Sequence, residues 1–345
     1  IPRLKGDIVE NEQELLEAVQ KIGYPVLLRP SFVIGGRGME IINNEMELKQ
    51  YIDKDIARYP FLVDEFLHAK EAEIDLVTDG SYILAPAIME HIEKTGVHSG
   101  DSMSVLPAFT MSAAVQEKMV QYGKMISKHL QYKGLMNIQF IVDGENVYVL
   151  EVNPRASRTA PIVSKVTGVP LVQIATKILL GKYTLSSNDE DRNLMSIPFV
   201  TVKYPVFSNY ALKGLDSKVS PEMRSTGEGI CLGNDLEEAL RKAFHVTLKT
   251  KTEGTIVLKN DLDELAFNDE NFKIVVSQDE SRLTEDAIAY YNPDGSSEDE
   301  ALREFATKRR IVTFTEKESL EAFLKALKVK DCSVTSIEEW HSTLK

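Results

Sequence analysis

A strand with one polar face is the feature of this sequence that most restricts its fold. Residues 145–158 carry an apolar run that leads into Glu151, Asn153 and Arg155 at alternate positions. Strand side chains point alternately to two faces, so these three share one surface, and Pro154 stops the hydrogen-bond ladder. Two hard oxygen ligands followed by a guanidinium predict a site for metal-bound phosphate. A polar edge strand has the same pattern, so other parts of the chain must decide.

A second predicted strand gives this one a partner. Residues 134–142 are apolar and are joined to the polar strand by the turn at 143–146. Pairing of the two strands places the Gln139 carboxamide near Glu151 and Asn153. The resulting set offers oxygen ligands without thiol or imidazole, which suits magnesium and argues against zinc.

A glycine-rich loop joins two extended segments near the start of the chain. Residues 29–38 contain Gly35 and Gly36 between Arg29 and Arg37. Glycine allows backbone N–H groups to approach an anion closely, and flanking arginines favour a phosphate-binding loop over a plain hairpin. The loop is neither a Walker loop, since it lacks Gly-Lys-Ser/Thr, nor a Rossmann turn, since a strand is predicted to follow.

The segment Asp64 to Leu67 ends a predicted strand and offers backbone groups beside apolar side chains, as an adenine ring requires. Glu71 follows and is suited to accept hydrogen bonds from ribose hydroxyls. The alternative for Glu71 is a solvated cluster of surface charges.

Residues 89–102, Met-Glu-His-Ile-Glu-Lys-Thr-Gly-Val-His-Ser-Gly-Asp-Ser, are predicted to form a polar loop. Polar loops between structured elements often carry function. His91 and His98 each have the alternative of a surface or satisfied core histidine. The density of Ser, Asp and His favours a ligand or ion site.

Hydrophobic periodicity and turn residues predict the remaining elements. Gly23 and Gly181 are predicted to end the first and fourth helices. The helices are 10–22, 45–51, 112–130, 169–180, 236–244 and 317–327, and the strands are 24–30, 39–42, 61–67, 73–78, 82–89, 198–206, 224–232 and 310–315.

Composition excludes several classes of protein. The net charge of -13 argues against a general nucleic-acid binder. No apolar run approaches the roughly 20 residues that span a bilayer, and no secretory signal opens the sequence. Cys231 and Cys332 are too few for a disulfide framework, so we expect a reducing, cytoplasmic location.

Taken in order, these segments resemble the large chain of carbamoyl phosphate synthetase, an ATP-grasp enzyme with two related ATP-using halves. The resemblance covers residues 1–245. It is carried by Tyr-Pro-Val-Leu-Leu-Arg-Pro-Ser at 24–31, Gly-Gly-Arg-Gly-Met-Glu-Ile at 35–41, the segment at 89–102, Glu-Val-Asn-Pro-Arg-Ala-Ser-Arg-Thr at 151–159 and Ser-Pro-Glu-Met-Arg-Ser-Thr-Gly-Glu at 220–228. The forms at 35–39 and 90–98 resemble the second half, which phosphorylates carbamate with ATP.

The resemblance implies a role for each matched residue. Arg29, Gly35, Gly36 and Arg37 would bind ATP phosphates, Asp64, Glu65 and Leu67 would flank adenine, and Glu71 would meet ribose. Gly96, Val97, His98 and Ser99 would line the nucleotide site, beside a monovalent-cation site for which K⁺ is the candidate. Gln139, Glu151 and Asn153 would hold Mg²⁺ or Mn²⁺. Arg155, Asn153 and His98 would act in catalysis.

The implied fold is α+β, an ATP-grasp of two α+β subdomains that clasp ATP, followed by a small α/β domain. We expect a linker and first helix at 1–22, a lid subdomain at 23–92, a metal and catalytic subdomain at 93–185, the remainder of the unit at 186–245, and a shortened, degenerate domain resembling methylglyoxal synthase at 246–345. The substrates would be carbamate and ATP. The partners would be a glutaminase small chain and the N-terminal half of the large chain.

The last hundred residues match the family poorly. Thr252 to Thr255 resembles a phosphate-binding turn of that domain, and residues 311–315 and 320–324 resemble its final strand and helix. The stretch 260–300 is dense in Asp and Glu, which would repel an anionic nucleotide effector. We therefore expect an effector-insensitive domain, as in an enzyme dedicated to arginine rather than pyrimidine supply.

Two other functions remain open. Another ATP-grasp carboxylate ligase, such as a biotin carboxylase-like protein, would share the metal strand, although the segment 91–102 resembles the synthetase only. The chain begins at Ile1 without an initiator Met, so we expect a fragment. A catalytically incomplete nucleotide-binding module is therefore the third reading.

Overall fold

The computed structural model describes residues 1–31, 35–53, 59–208, 216–245, 253–262, 265 and 267–343. The chain divides into two compact units. The first comprises Ile1–Ser99, Ala108–Met195 and Ser220–Met223, and the second comprises Gly100–Pro107, Ser196–Val219 and Arg224–Lys345.

A small antiparallel sheet opens the first unit and packs against two helices. The strands are β1 (Gly6–Val9), β2 (Val26–Pro30), β3 (Glu40–Ile42) and β4 (Phe61–Glu65), in the order β1-β4-β2-β3, and the helices are α1 (Glu12–Ile22) and α2 (Glu45–Asp53). Residues 6–22 thus add a strand and a helix to this sheet, which has a core of Val9, Leu15, Ala18, Val19, Val26, Leu28, Ile42, Leu48, Tyr51, Phe61 and Val63.

Both helices begin with the same asparagine and glutamate pair. At α1, Asn11 accepts from the Glu14 backbone N–H at 3.0 Å and its Nδ2 donates to the Glu14 carboxylate at 2.8 Å. At α2, Asn44 and Glu47 make the same bonds at 3.0 and 2.8 Å. These side chains satisfy backbone N–H groups that a helix start leaves unpaired. Gly23 caps α1 with φ 89°, which confirms the predicted end.

A longer antiparallel sheet forms the rest of the first unit. Its strands are β5 (Lys70–Thr78), β6 (Ile83–Leu84), β7 (Ile88–Lys94), β9 (Gly134–Asp143) and β10 (Asn146–Asn153), while β8 (Ser104–Leu106) belongs to the second unit. The order is β10-β9-β5-β7, and β6 pairs with β5. Helix α3 (Ala113–Leu130), predicted over 112–130, has Ser112 as its N-cap and packs on one face of β5. The shared core includes Ile74, Leu76, Val115, Met119, Ile138 and Phe140.

Two sequence predictions around this sheet are wrong. The predicted strand 82–89 is split into β6 and β7, with Pro86 between them. The predicted polar loop 89–102 begins as a strand, because β7 continues to Lys94. Its polar residues suit a strand because they are buried with partners: Glu90 accepts from the backbone N–H groups of Phe109 and Thr110, each at 2.9 Å.

The predicted helix 169–180 begins later, as α5 (Leu171–Leu179), and α4 (Ala160–Thr167) before it was not predicted. Gly168, with φ 69°, separates the two, and α6 (Ser187–Glu190) follows. No single helix in the described ranges is long and apolar enough to cross a bilayer. Taken together, α4 and α5 are long and apolar enough to span a bilayer, but the pair is bent by 114° at the break between the two helices.

The second unit contains two sheets. Strands β8, β11 (Val200–Val206) and β12 (Gly227–Gly233) are antiparallel, and α7 (Leu236–Ala243) follows. The predicted strand 224–232 starts three residues late. The backbone N–H groups of Arg224 and Ser225 donate instead to the Asp101 carboxylate, at 2.7 and 2.8 Å.

The second sheet is parallel, as expected for a small α/β domain. Its strands β13 (Gly254–Leu258), β14 (Phe272–Val276), β15 (Ala287–Tyr291) and β16 (Val312–Phe314) lie in the order β14-β13-β15-β16, with helices α8 (Ser297–Lys308), α9 (Lys317–Leu327) and α10 (Ile337–Thr343) and a 3-10 turn at Glu280–Arg282. The acidic stretch thus contains two strands that its composition concealed. Thr252 lies outside the described residues.

The two cysteines are half-buried in this unit and neither forms a disulfide. The domain boundaries expected at residues 22, 92, 185 and 245 stay predictions.

Candidate active site

A cavity of about 1060 Å³ in the first unit collects nearly all of the predicted site residues. Arg37 is the exception, because its side chain is exposed and does not line the cavity. The others in the wall are Arg29, Gly35, Gly36, Asp64, Glu65, Leu67, Glu71, Gly96, Val97, His98, Ser99, Gln139, Glu151, Asn153 and Arg155.

The polar strand is β10, and it has the predicted partner. β10 pairs with β9 so that Glu151 lies opposite Gln139, which confirms their predicted proximity. The register shifts between Val149 and Glu151. An irregularity of this kind bends a strand and re-aims the side chains beside it.

The three polar side chains of this strand contact one another in sequence. Asn153 Nδ2 donates to Glu151 Oε1 at 2.7 Å, and Arg155 Nη2 donates to Asn153 Oδ1 at 3.2 Å. They share one surface, as the strand alternation predicts. Gln139 Nε2 donates to Ser99 Oγ at 2.9 Å, which ties this end of the cavity to the segment that contains His98.

The residues at this end fit a divalent cation that arrives with a nucleotide. In the described part of the chain, no group of three or more His, Cys, Asp or Glu side chains could hold a metal ion. Gln139, Glu151 and Asn153 instead offer one carboxylate and two carboxamides. Magnesium in phosphoryl-transfer sites takes one or two carboxylates and completes its shell with water and phosphate oxygens.

Arg29 faces the cavity from the end of β2 and is paired with a carboxylate. Its guanidinium contacts Asp64, which lies on the neighbouring strand β4. Burial raises the pKa of Asp64, and the guanidinium opposes that rise. Asp64 therefore holds Arg29 at the cavity wall. This anchoring role is additional to the adenine contact that was expected of Asp64.

A threonine holds the segment that follows β4. Thr95 Oγ1 donates to the carbonyl of Leu67 and accepts from the backbone N–H of Ala69 at 3.1 Å. Gly96 follows with φ 106°, and a Cβ there would lie 3.0 Å from Ile41 Cδ1. Thr95 lines the cavity and was not among the predicted site residues.

Glu71 is buried and held by a histidine. His91 Nδ1 lies 3.1 Å from Glu71 Oε2, and its Nε2 lies 3.5 Å from Glu73 Oε1. Burial alone would lower the pKa of His91, but the two carboxylates outweigh it and raise the pKa to about 9. The imidazolium orients the carboxylate that was expected to meet ribose. The solvated alternative for Glu71 is therefore wrong.

A buried polar row continues along β5 behind the cavity wall. Asn137 Nδ2 donates to Glu73 at 2.8 Å and to Asp75 at 3.2 Å. Thr159 Oγ1 donates to Asp75 at 2.6 Å, and Ser157 also donates to it. Burial and the nearby Glu73 raise the pKa of Asp75. This row joins the sheet to the segment that follows Arg155.

A protein-family model matches the sequence of the N-terminal part of this chain. Residues 1–187 match the model described as "Carbamoyl-phosphate synthase L chain, ATP binding domain". The chain belongs to this family.

Curated relatives extend the family match beyond residue 187. The arginine-specific large chain of carbamoyl phosphate synthase from Geobacillus stearothermophilus is 46% identical over 347 residues, covering 99% of this chain and 33% of the relative. The corresponding chain from Bacillus subtilis is 42% identical over 327 residues, covering 93% of this chain and 31% of the relative. The chain thus spans about a third of the length of these relatives.

A solved structure agrees with the ATP-grasp fold. The biotin carboxylase domain of the Hydrogenobacter thermophilus 2-oxoglutarate carboxylase, in complex with MgADP, ADP and bicarbonate, has a TM-score of 0.56 at 19% identity, covering 72% of this chain and 62% of that chain. The expected α+β, ATP-grasp fold is confirmed.

Sequence reasoning missed several residues around this family's site. Ile1 to Leu4 line the cavity, and the carbonyl of Pro2 accepts from the backbone N–H of Val149 at 3.1 Å. Glu73 and Asp75, which lie in one row with the predicted Glu71, had a readable signal, since alternate acidic residues in an otherwise apolar strand share one face. The residues that contact this row lie on other elements, and no local sequence pattern indicated them.

Proposed function

We propose that this chain carries the ATP site of a carbamoyl phosphate synthase large chain and transfers the γ-phosphoryl group of ATP to carbamate. The main support is the single cavity that brings the polar end of β10 together with Arg29, the glycine-rich turn and Glu71. Family membership supports the nucleotide. The assignment of individual residue roles is part of this proposal.

The proposed reaction requires positioning and charge neutralisation. A carbamate oxygen attacks the γ-phosphorus, the bond from that phosphorus to the β,γ-bridging oxygen breaks, and ADP leaves. Arg155, held by Asn153 at 3.2 Å, would orient the anionic carbamate or transferring phosphoryl group. A magnesium ion held by Gln139, Glu151 and Asn153 would neutralise phosphate charge. His98 would lie beside the transferring group.

Other parts of the proposal concern partners and further ions. The relatives are large chains of which this chain covers about a third, and this supports the N-terminal half of the large chain and a glutaminase small chain, the ammonia source, as partners. Mn²⁺ in place of Mg²⁺, and K⁺ near the segment that contains His98, belong to the proposal. Carbamate decomposes rapidly in water, so a site that excludes water during the transfer would suit such a substrate.

The choice of carbamate over bicarbonate has its own support. Residues 35–39 and 90–98 have the form typical of the carbamate-phosphorylating half. A biotin carboxylase-like ligase is the alternative, and the structural likeness to such an enzyme concerns the fold only. Phosphorylation of bicarbonate but not carbamate would favour that alternative.

Nucleotide binding and turnover should be measured separately on this chain. Calorimetry with MgATP is expected to show one binding site, and ADP release is expected to increase with carbamate. Binding without turnover would favour an incomplete nucleotide-binding module. Absence of MgATP binding would contradict the proposed function.

A further inference from the structure

A short segment distant in sequence packs against the glycine-rich turn. Ser220–Met223 belongs to the first unit, and the backbone N–H of Met223 donates to the Gly35 carbonyl at 3.0 Å. Gly36 has φ 72°, and a Cβ there would lie 2.0 Å from the carbonyl oxygen of Pro221. The two backbones are therefore in direct contact, which glycine alone permits.

The same segment contacts two other elements of the site. The backbone N–H of His98 donates to the Ser220 carbonyl at 2.8 Å. Arg158 Nη1 lies 3.2 Å from Met223 Sδ. The four residues therefore join the glycine-rich turn, the His98 segment and the loop that follows Arg155, and Pro221 itself lines the cavity.

The segment contains an internal hydrogen bond and a proline. Ser220 Oγ accepts from the backbone N–H of Glu222 at 3.2 Å, which closes a local turn. Pro221 has a restricted φ and so reduces the freedom of the backbone at this point. A preorganised surface of this kind can hold other loops without a large entropic cost.

We propose that Ser220–Met223 is a positioning segment, which fixes the Gly35–Gly36 turn, His98 and Arg158 in the arrangement needed to bind nucleotide phosphates. This inference rests on the proposed ATP site. None of the four residues reacts; they act through the elements that they contact. The cavity remains about 1060 Å³ with the segment in place, so its contacts hold the wall and do not fill the site.

The first test loosens the segment. Ser220→Ala with Pro221→Gly removes the turn bond and frees the backbone. We expect hydrogen exchange at His98 and Met223, whose backbone N–H groups donate to Ser220 and Gly35, to rise about tenfold and the Kd for MgATP to rise by a similar factor. Ser277→Ala is the matched control, because Ser277 Oγ makes the same bond to the Asp279 backbone N–H at 3.1 Å. The control should change neither quantity.

The second test restores the contact with a removable bond. A Cβ on Gly35 would lie 3.9 Å from Met223 Cβ, which is within the range of a disulfide. Gly35→Cys with Met223→Cys is added to the loosened variant after Cys231→Ser and Cys332→Ser. Oxidation is expected to form the bond and restore MgATP affinity, and dithiothreitol is expected to abolish the gain. Gly38→Cys replaces Gly35→Cys in the control, because a Cβ there meets Pro30 instead.

Three results would overturn the inference: no effect of loosening, no crosslink, or a crosslink that leaves affinity unchanged. If the cysteine at position 35 itself prevents binding, hydrogen exchange at His98 and at position 223 is compared between the oxidised and reduced forms, and equal exchange in the two forms overturns the inference. If the unmodified chain does not bind MgATP, the proposed function fails. The exchange measurements still decide whether the segment holds the turn.

Discussion

At the scale of single residues, His91 shows how a buried charge supports the wall of the cavity. Its ring lies between Glu71 and Glu73, and its pKa is raised to about 9. A histidine whose pKa is higher in the folded than in the unfolded state stabilises the fold in its charged form. That contribution is complete below the unfolded value of about 6.5 and is lost as the pH rises through about 9.

We therefore expect stability to fall between pH 7 and pH 9. Loss of the His91 charge should lower the free energy of unfolding by about 2 kcal/mol over this interval. Urea unfolding at the two pH values measures the fall, and His91→Gln should largely abolish it. His129→Gln is the control, because His129 is exposed on α3. An equal fall in the His91→Gln variant would contradict the assignment.

Single residues were predictable where strand alternation or a local motif carried the signal. Glu151 and Asn153 could be placed on one face because neighbouring strand positions alternate. The burial of His91 could not be predicted, because Glu71 and Glu73 belong to β5 and His91 to β7. Arg37 does not line the cavity, because its sequence neighbours do not determine which way a side chain points from a glycine-rich turn, and its role in phosphate binding stays a prediction.

At the scale of elements, local chemistry determines where several helices start and stop. Asn11 and Glu14 at α1, and Asn44 and Glu47 at α2, form equivalent caps. The predicted helix 317–327 coincides with α9. By contrast, α4 and the division of β6 from β7 depend on packing and on backbone partners distant in sequence, which local patterns do not reveal.

Removal of the first of these caps should have a defined cost. Asn11→Ala deletes the acceptor for the Glu14 backbone N–H and is expected to lower the free energy of unfolding by about 1 kcal/mol. Asn11→Asp keeps a suitable oxygen and is expected to retain most of the stability. Chemical denaturation of both variants provides the comparison. Equal stability of Asn11→Ala and the unmodified chain would show that the cap contributes little.

At the scale of the whole molecule, the sequence predicted the fold and the composition of the site better than its assembly. The family motifs within residues 24–41 and 151–159 contain about a third of the residues that line the cavity. The role of the 220–228 motif could not be predicted from the sequence, since its contacts with the glycine-rich turn form only when the chain folds. The acidic composition of 260–300 concealed β14 and β15, which are only five residues long each.

The second unit provides a separate prediction about effectors. Lys259 follows β13 and contacts both Asp294 and Asp299. Burial alone would raise the pKa of Asp299, but hydrogen bonds from Lys259, Ser296 and Asn292 outweigh it and lower the pKa to about 2. The lysine charge is thus already neutralised. We expect calorimetry to detect no uridylate binding to residues 246–345, and measurable binding would contradict an effector-insensitive domain.

Formation of ATP from ADP and carbamoyl phosphate tests the central claim most directly. Under the proposed function, a large chain that contains this sequence is expected to catalyse this reverse transfer. Glu151→Gln with Asn153→Asp should reduce it at least about a hundredfold by disturbing phosphate and metal positioning. Asn268→Asp with Glu270→Gln is the matched control, since both side chains are exposed on the second unit. Undiminished ATP formation in the Glu151 and Asn153 variant, or none in the unmodified chain, would contradict the account.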